Sequence, residues 1–166
     1  MNLIVCVDER WGIGKNNGLL FSLPADMRFF KEKTSGKTVV MGYNTLLSFP
    51  ASKPLKNRKN IVLAPEGVFR DDCTVCHTLE ETFSEIKKER DENVFIIGGA
   101  MFYKTMYPYC TKAYITHVFS DGGATVFFDD LDSLSNWSKK PISNILEENG
   151  LKFRFYEYTN NAPLKF

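Results

Sequence analysis

Cysteine and histidine are scarce in this chain of 166 residues, with four of the first and two of the second. The cysteines (Cys6, Cys73, Cys76 and Cys110) are too few and too scattered for a disulfide scaffold. His77 and His117 alone cannot build a histidine-based metal cluster. No apolar run approaches the roughly 18–20 residues that cross a bilayer. Residues 1–8 carry no basic region and reach an acid at Asp8, so no secretory leader is expected. Charge of one sign is missing too: 21 Lys and Arg against 20 Asp and Glu leave +1. That balance offers nothing to nucleic acid or to an anionic membrane, but it leaves room for a small anionic ligand held by local charges. The Gly-x-Ser-x-Gly elbow and the phosphate loop ending Gly-Lys-Ser/Thr are both absent, which empties the common hydrolase and nucleotide-triphosphatase signatures. A cytoplasmic protein with reduced thiols and a small-molecule partner is the expectation.

What is present points to an α/β protein. With 43% hydrophobic and 25% charged residues, the chain is neither disordered nor collagen-like nor a coiled coil. Its length suits one domain, 1–166, burying about two-thirds of its extended surface. Apolar runs of strand length fall at 3–7, 38–41, 60–63, 94–97 and 113–118, with a shorter one at 74–76. Asn149-Gly150 separates 142–148 from 151–159 and predicts a tight hairpin, so the sheet should end antiparallel. Helices are predicted over 24–33, 43–48, 79–90 and 100–107. The third opens on a capping box, Thr78-Leu79-Glu80-Glu81, with Leu79, Phe83 and Ile86 on one face. No repeat, low-complexity tract or linker interrupts the pattern.

Several residues could carry chemistry, each against a plainer reading. Cys73-Thr74-Val75-Cys76-His77 matches the haem-attachment pattern, yet it reads better as chance cysteines on a strand before a capped helix. Lys53, Lys56, Arg58 and Lys59 form a basic stretch, in the plain view a solvated loop. Arg58, just before a strand, is its best-placed fork for a carboxylate or phosphate. Asp26 follows Pro24 in the first turn of a helix, where any carboxylate complements the dipole. However, Leu23, Met27 and Phe30 form the expected core-facing stripe with Asp26 on its border. A carboxylate so flanked loses hydration, its pKa rises, and it can receive a cationic or donor-bearing heterocycle. Gly98-Gly99 and Gly42 each stand between a strand and a helix, two turns whose bare backbone would admit a dinucleotide pyrophosphate.

These pieces, in this order, resemble the dihydrofolate reductase family. The likeness is carried by Trp11-Gly12-Ile13-Gly14, by residues 19–26 ending in Asp26, and by Val40-Met41-Gly42 with Thr45. Residues 54–63, residues 95–100 with Tyr103, and Tyr114-Ile115-Thr116-His117 continue it, so it spans 3 to about 158. The resemblance implies an α/β fold with a central mixed, mostly parallel sheet of about eight strands, an antiparallel C-terminal hairpin and about four helices. It implies hydride transfer from NADPH to C6 of dihydrofolate, with Asp26 assisting protonation at N5. Asp26 would grip the pterin N3 and 2-amino edge, with Thr116 behind it, and Leu19 and Phe21 beside the reacting atoms. Arg58 would hold the glutamate tail, while Ile4, Val5, Met27, Phe30, Phe49, Leu55, Ile97 and Tyr103 line the cleft. The nicotinamide would meet Cys6, Ile13, Gly14, Gly18 and Leu19. The rest of the cofactor would lie along Gly42, Tyr43, Asn44, Thr45, Leu63, Ala64, Pro65, His77, Ile97, Gly98, Gly99, Ala100, Met101, Phe102 and Tyr103. It further implies a monomer that binds 2,4-diaminopyrimidine antifolates.

Four departures accompany the likeness. Leu20-Phe21 stands where the family often has Pro-Trp, and Tyr43 where an Arg is usual after Gly42. Ala64-Pro65-Glu66 replaces hydroxyl or basic residues around the adenosine 2′-phosphate, which leaves NADPH usable and NADH tolerated. Ala124 replaces an Asp that often bonds the active-site loop. A pyrimidine or pterin reductase of the same fold, and a catalytically weakened folate binder, are the competing readings.

Overall fold

The computed structural model describes residues 1–16 and 18–166. The chain runs β1 (Asn2–Val7), β2 (Gly12–Gly14), α1 (Pro24–Thr34), β3 (Thr38–Gly42) and α2 (Tyr43–Ser48). Next come β4 (Lys59–Leu63), β5 (Thr74–Cys76), α3 (Leu79–Ile86), β6 (Val94–Ile96) and α4 (Ala100–Met106). It ends with β7 (Lys112–Val118), β8 (Val126–Phe127), β9 (Trp137–Pro141), β10 (Leu146–Glu148) and β11 (Leu151–Asn160). Nine strands make the main sheet in the order β10-β11-β7-β1-β6-β3-β4-β5, with β9 pairing β11; β2 and β8 form a separate ribbon. Strands β7 through β5 in that order are mutually parallel, whereas β11 is antiparallel to β7, β9 and β10. The expected mixed sheet with an antiparallel end is the observed one.

Runs that are apolar at every position become strands buried on both faces, as parallel strands between helices must be. Leu3, Val5 and Val7 point to one face, toward Phe102, Met106 and Ile86 of α4 and α3. Ile4, Val39, Met41 and Val62 point to the other, toward Phe29, Phe30 and Leu46 of α1 and α2. Each fully buried Ile or Leu there stabilises the fold by roughly 1.5–3 kcal/mol.

Some expectations are corrected. The buried stripe of α1 is turned toward Asp26: Leu23 is buried and Phe29 stacks on Phe155 at 4.2 Å, while Met27 is 57% exposed. Aromatic neighbours Tyr114 and Phe155 draw Phe29 inward, and Met27 is left on the open margin. Helix α3 stops at Ile86 because the next N–H groups, of Lys88 and Glu89, bond three residues back and tighten the chain. Helix α4 ends at Met106, ahead of Pro108. The strand expected over 142–148 begins only at Leu146, because the Ser143 hydroxyl accepts from the Phe155 N–H at 3.1 Å and replaces a ladder bond. Strand β9, unexpected from the sequence, takes the place beside β11.

Candidate active site

The carboxyl ends of β1, β6 and β3 lie side by side, where parallel sheets expose backbone and loops to ligands. Cys6 on β1 and Thr116 on β7 are register partners, so both side chains leave the sheet on the same face, under the first turn of α1. That turn supplies Asp26. The Thr116 hydroxyl donates to Asp26 Oδ1 at 2.6 Å, and the Cys6 thiol hydrogen-bonds to the same carboxyl. Burial raises the Asp26 pKa above the usual carboxylate range, against the pull of those two donors, and no cation is paired with it among the described residues. Burial and the Asp26 charge push the Cys6 thiol well up, so it stays protonated and remains a donor. The site therefore presents a carboxyl with no cation paired to it among the described residues, the complement of a heterocycle carrying adjacent N–H groups.

An apolar wall adjoins it. Ile4 and Ile97 pack in one cluster with Phe30, Phe49 and Leu55, while Met27 is exposed and outside that cluster. The buried Tyr103 hydroxyl donates to the Ile4 carbonyl at 2.7 Å. Val5 departs from the group: its side chain lies with Leu3 and Val7 on the opposite face, so only its main chain faces this side. Leu19 is 75% exposed and Phe21 half-buried. Farther along, the half-buried Arg58 donates from Nε to the Lys56 carbonyl at 2.9 Å and from Nη1 to Thr34 Oγ1 at 3.0 Å. Its guanidinium also lies 5.9 Å from the Phe30 ring centre. Burial lowers its pKa from the ordinary value, yet a guanidinium stays charged, and its remaining donors are free to fork onto an anion. The other members of the basic stretch are exposed, with Lys59 paired to Glu89 at 2.6 Å.

The two glycine turns meet. The Gly42 N–H donates to the Gly98 carbonyl at 2.9 Å, joining the ends of β3 and β6. Gly98 has φ +135, and a Cβ there would lie 3.2 Å from Thr45 Oγ1. Neither Gly42 nor Gly99 supplies a side-chain cap, so first-turn N–H groups of α2 and α4, around Tyr43, Asn44 and Thr45 and around Ala100, Met101 and Phe102, have no intrahelical acceptor. That donor set fits a pyrophosphate. Leu63 ends β4; Ala64 follows it, buried, and Pro65 is exposed. His77 Nδ1 sits 3.3 Å and 3.1 Å from the Ala64 and Pro65 carbonyls, so it donates its N–H to them. Ile13 and Gly14, half-buried, and the exposed Gly18 belong to the loop after β1, held to residues 125–127 through β2. Cys73 and Cys76 are free thiols, the latter on β5 and buried.

Sequence reasoning missed two supports. Thr34 holds Arg58, and its only signal was its place on the α1 face one turn from Phe30. Asp8, fully buried beyond β1, gave no signal beyond following an apolar run.

The chain resembles known proteins over nearly all its length. The family model for dihydrofolate reductase matches residues 1–160. The dihydrofolate reductase of Bacillus subtilis is 33% identical over 168 residues, covering 98% of this chain and 96% of that one. That of Schistosoma mansoni is 36% identical over 182 residues, covering 95% of each. Among solved structures, dihydrofolate reductase from Enterococcus faecalis, complexed with NADP(H) and RAB-propyl, superposes with a TM-score of 0.82 at 30% identity, covering 96% and 95% of the two chains. Matches this long, on a fold that sets the Asp26 carboxyl of α1 beside Thr116 of the sheet and joins the two glycine turns at its strand ends, show that the chain belongs to the dihydrofolate reductase family.

Proposed function

We propose that Asp26 is the group through which this enzyme activates its substrate. As a dihydrofolate reductase the chain reduces 7,8-dihydrofolate to 5,6,7,8-tetrahydrofolate with NADPH, a step of one-carbon metabolism. NADPH supplies the hydride that reaches C6, and the accompanying proton arrives at N5. The observation carrying the proposal is the half-buried Asp26 carboxyl, bonded by Thr116 and Cys6 and, among the described residues, paired with no cation. Its charge favours a pterin bearing an extra proton, and its two oxygens match the N3 and 2-amino donors. Ile4, Phe30, Phe49, Leu55, Ile97 and Met27 would line the pterin and benzoyl portions and exclude water. Arg58 would hold the α-carboxylate of the glutamate tail. The starts of α2 and α4 would hold the pyrophosphate, with Cys6, Ile13, Gly14, Gly18, Leu19 and Phe21 near the nicotinamide. The same carboxylate suits 2,4-diaminopyrimidine antifolates, whose protonated ring offers the same pair of donors.

The adenosine 2′-phosphate is less well served. Pro65 and Glu66 are exposed beside the buried Ala64, and His77 turns its proton toward carbonyls. This supports tolerance of NADH beside the preferred NADPH. One sheet takes in strands from residue 2 to residue 160, which supports a single domain over 1–166; we take the enzyme to work as a monomer. No helix among the described residues is long and apolar enough to cross a membrane; we place the enzyme in the cytoplasm, with its thiols reduced. Asp26→Asn, which removes the charge and keeps the shape, tests the assignment: turnover at neutral pH should fall by about 10²-fold or more.

A further inference from the structure

Asp8 follows directly on β1, and its carboxylate is completely buried. Oδ1 accepts from the Gly12 N–H at 2.7 Å and from the Arg10 N–H at 2.9 Å; Oδ2 accepts from the Gly122 N–H at 3.0 Å. One side chain thus bonds two segments more than a hundred residues apart in sequence. Burial works against its charge, but the three N–H donors and nearby Arg10 prevail and hold its carboxyl below the usual range, so it is ionised at neutral pH.

Both tied segments lead toward the reacting centre. From Gly12 the chain passes through Gly14 to Leu19, Leu20 and Phe21. From Gly122 it passes behind them: a Cβ on Gly122 would stand 2.9 Å from Phe21 Cζ and 3.0 Å from Leu20 Cδ1. Gly12 is equally confined, since a Cβ there would overlap Ala124 and lie 2.8 Å from Asp8 Oδ1. Between them Trp11 holds φ +63, a costly conformation for a bulky residue. Its N–H donates to the Asp8 carbonyl at 3.0 Å, its carbonyl accepts from Phe128, and its ring meets His117 edge-on at 4.9 Å.

We propose that Asp8 is a positioning residue for hydride transfer, acting through the Gly12 and Gly122 N–H groups to fix residues 12–14 and 19–21 against residues 120–124. The inference rests on the reading of Leu19 and Phe21 as neighbours of the nicotinamide. Asp8→Asn separates the two ties. The amide oxygen can still accept from Gly12 and Arg10, while its NH₂ faces the Gly122 N–H, donor against donor. The local turn survives and the link across to Gly122 is lost.

The test is single-turnover hydride transfer from NADPH to dihydrofolate by rapid mixing, with KM for dihydrofolate and thermal stability measured alongside. Asp8→Asn should slow hydride transfer by about 10-fold or more, since small misplacements of reacting groups are costly, and should change KM by less than about 3-fold. Gly122→Ala, which leaves the carboxylate intact and pushes on Phe21 instead, should slow the same step. A lower melting temperature with an unchanged hydride-transfer rate in Asp8→Asn would overturn the proposal; if that variant does not fold, an unchanged rate in Gly122→Ala overturns it. Leu19→Ala serves as reference. If it slows transfer and Asp8→Asn does not, the Asp8 inference alone fails; if neither does, the reading of Leu19 and Phe21 fails with it.

Discussion

Replacing Asp26 by Asn changes charge with almost no change in shape, and the site leaves little to compensate. Thr116 and Cys6 can still hydrogen-bond to the amide oxygen, so the loss is that of the carboxylate's attraction for a protonated pterin. Two opposite charges about 4 Å apart at an effective dielectric near 20 attract by about 4 kcal/mol. The Asn dipole recovers part of this, which leaves a rate loss of roughly 10²- to 10³-fold at neutral pH, about 2.7–4 kcal/mol in the barrier. The loss should shrink at acid pH, where solvent protonates the substrate unaided. Stability should move the other way. Because burial raises the Asp26 pKa in the folded protein, the folded state holds that proton more tightly, and stability declines as pH rises from the unfolded-state value through the raised one. The Asn variant lacks this decline and should melt higher at neutral pH. Steady-state NADPH oxidation with dihydrofolate across the pH range, with thermal melts of both proteins, reads both effects. Near wild-type turnover at neutral pH, or a loss equally large at every pH, would refute the reasoning.

Arg58→Leu should raise KM for dihydrofolate while kcat changes much less, because the tail contact is alike in ground and transition states; analogues lacking the glutamate should be unaffected. Thr34→Val, which removes the hydroxyl 3.0 Å from Arg58 Nη1, should shift KM the same way by roughly 5-fold, the worth of one hydrogen bond near 1 kcal/mol. Comparing kcat/KM for the two cofactors should show NADPH preferred over NADH by only about 10–100-fold, or about 1.4–2.7 kcal/mol, and Glu66→Arg should widen that gap; a preference above a thousand-fold in the unaltered protein contradicts this. His117, whose pKa burial lowers from 6.5 to about 4, is neutral in the fold, so the stability this gives is complete above 6.5 and is lost as pH falls toward 4. Urea unfolding across that range should show the slope in the wild type and a flatter one in His117→Phe.

Strand positions were legible because parallel strands covered on both faces must be apolar throughout, and the five long runs all became strands. Where one side chain substitutes for a ladder bond, as Ser143 does, no periodicity announces it, and β10 is shorter than its apolar pattern suggests; β9 is exposed at every position after Trp137, so it carries no apolar signal at all. The capping box illustrates partial legibility. Thr78 Oγ1 does accept from the Glu81 N–H at 3.1 Å, but Glu81 answers to the His77 N–H at 2.7 Å, one residue before the cap. Asp26 could be singled out from local spacing, because its helix and its apolar neighbours are adjacent in sequence. Its partners could not, since Thr116 stands 90 positions away and only the pairing of β1 with β7 brings Cys6 alongside. Met27 reads as core from spacing alone, but the buried face of α1 is the one carrying Phe29, which packs on Tyr114 and Phe155, residues far along the chain. Asp8 stayed hidden for the same reason: its three acceptor bonds join backbone groups, which carry no mark in the sequence.

The measurement closest to the central claim mixes the purified protein with NADPH and 7,8-dihydrofolate and follows cofactor oxidation by absorbance and the pterin product by chromatography. The account predicts one NADPH consumed for each tetrahydrofolate formed, with no oxidation when dihydrofolate is left out. Absence of dihydrofolate-dependent oxidation, or oxidation that yields no tetrahydrofolate, would contradict it.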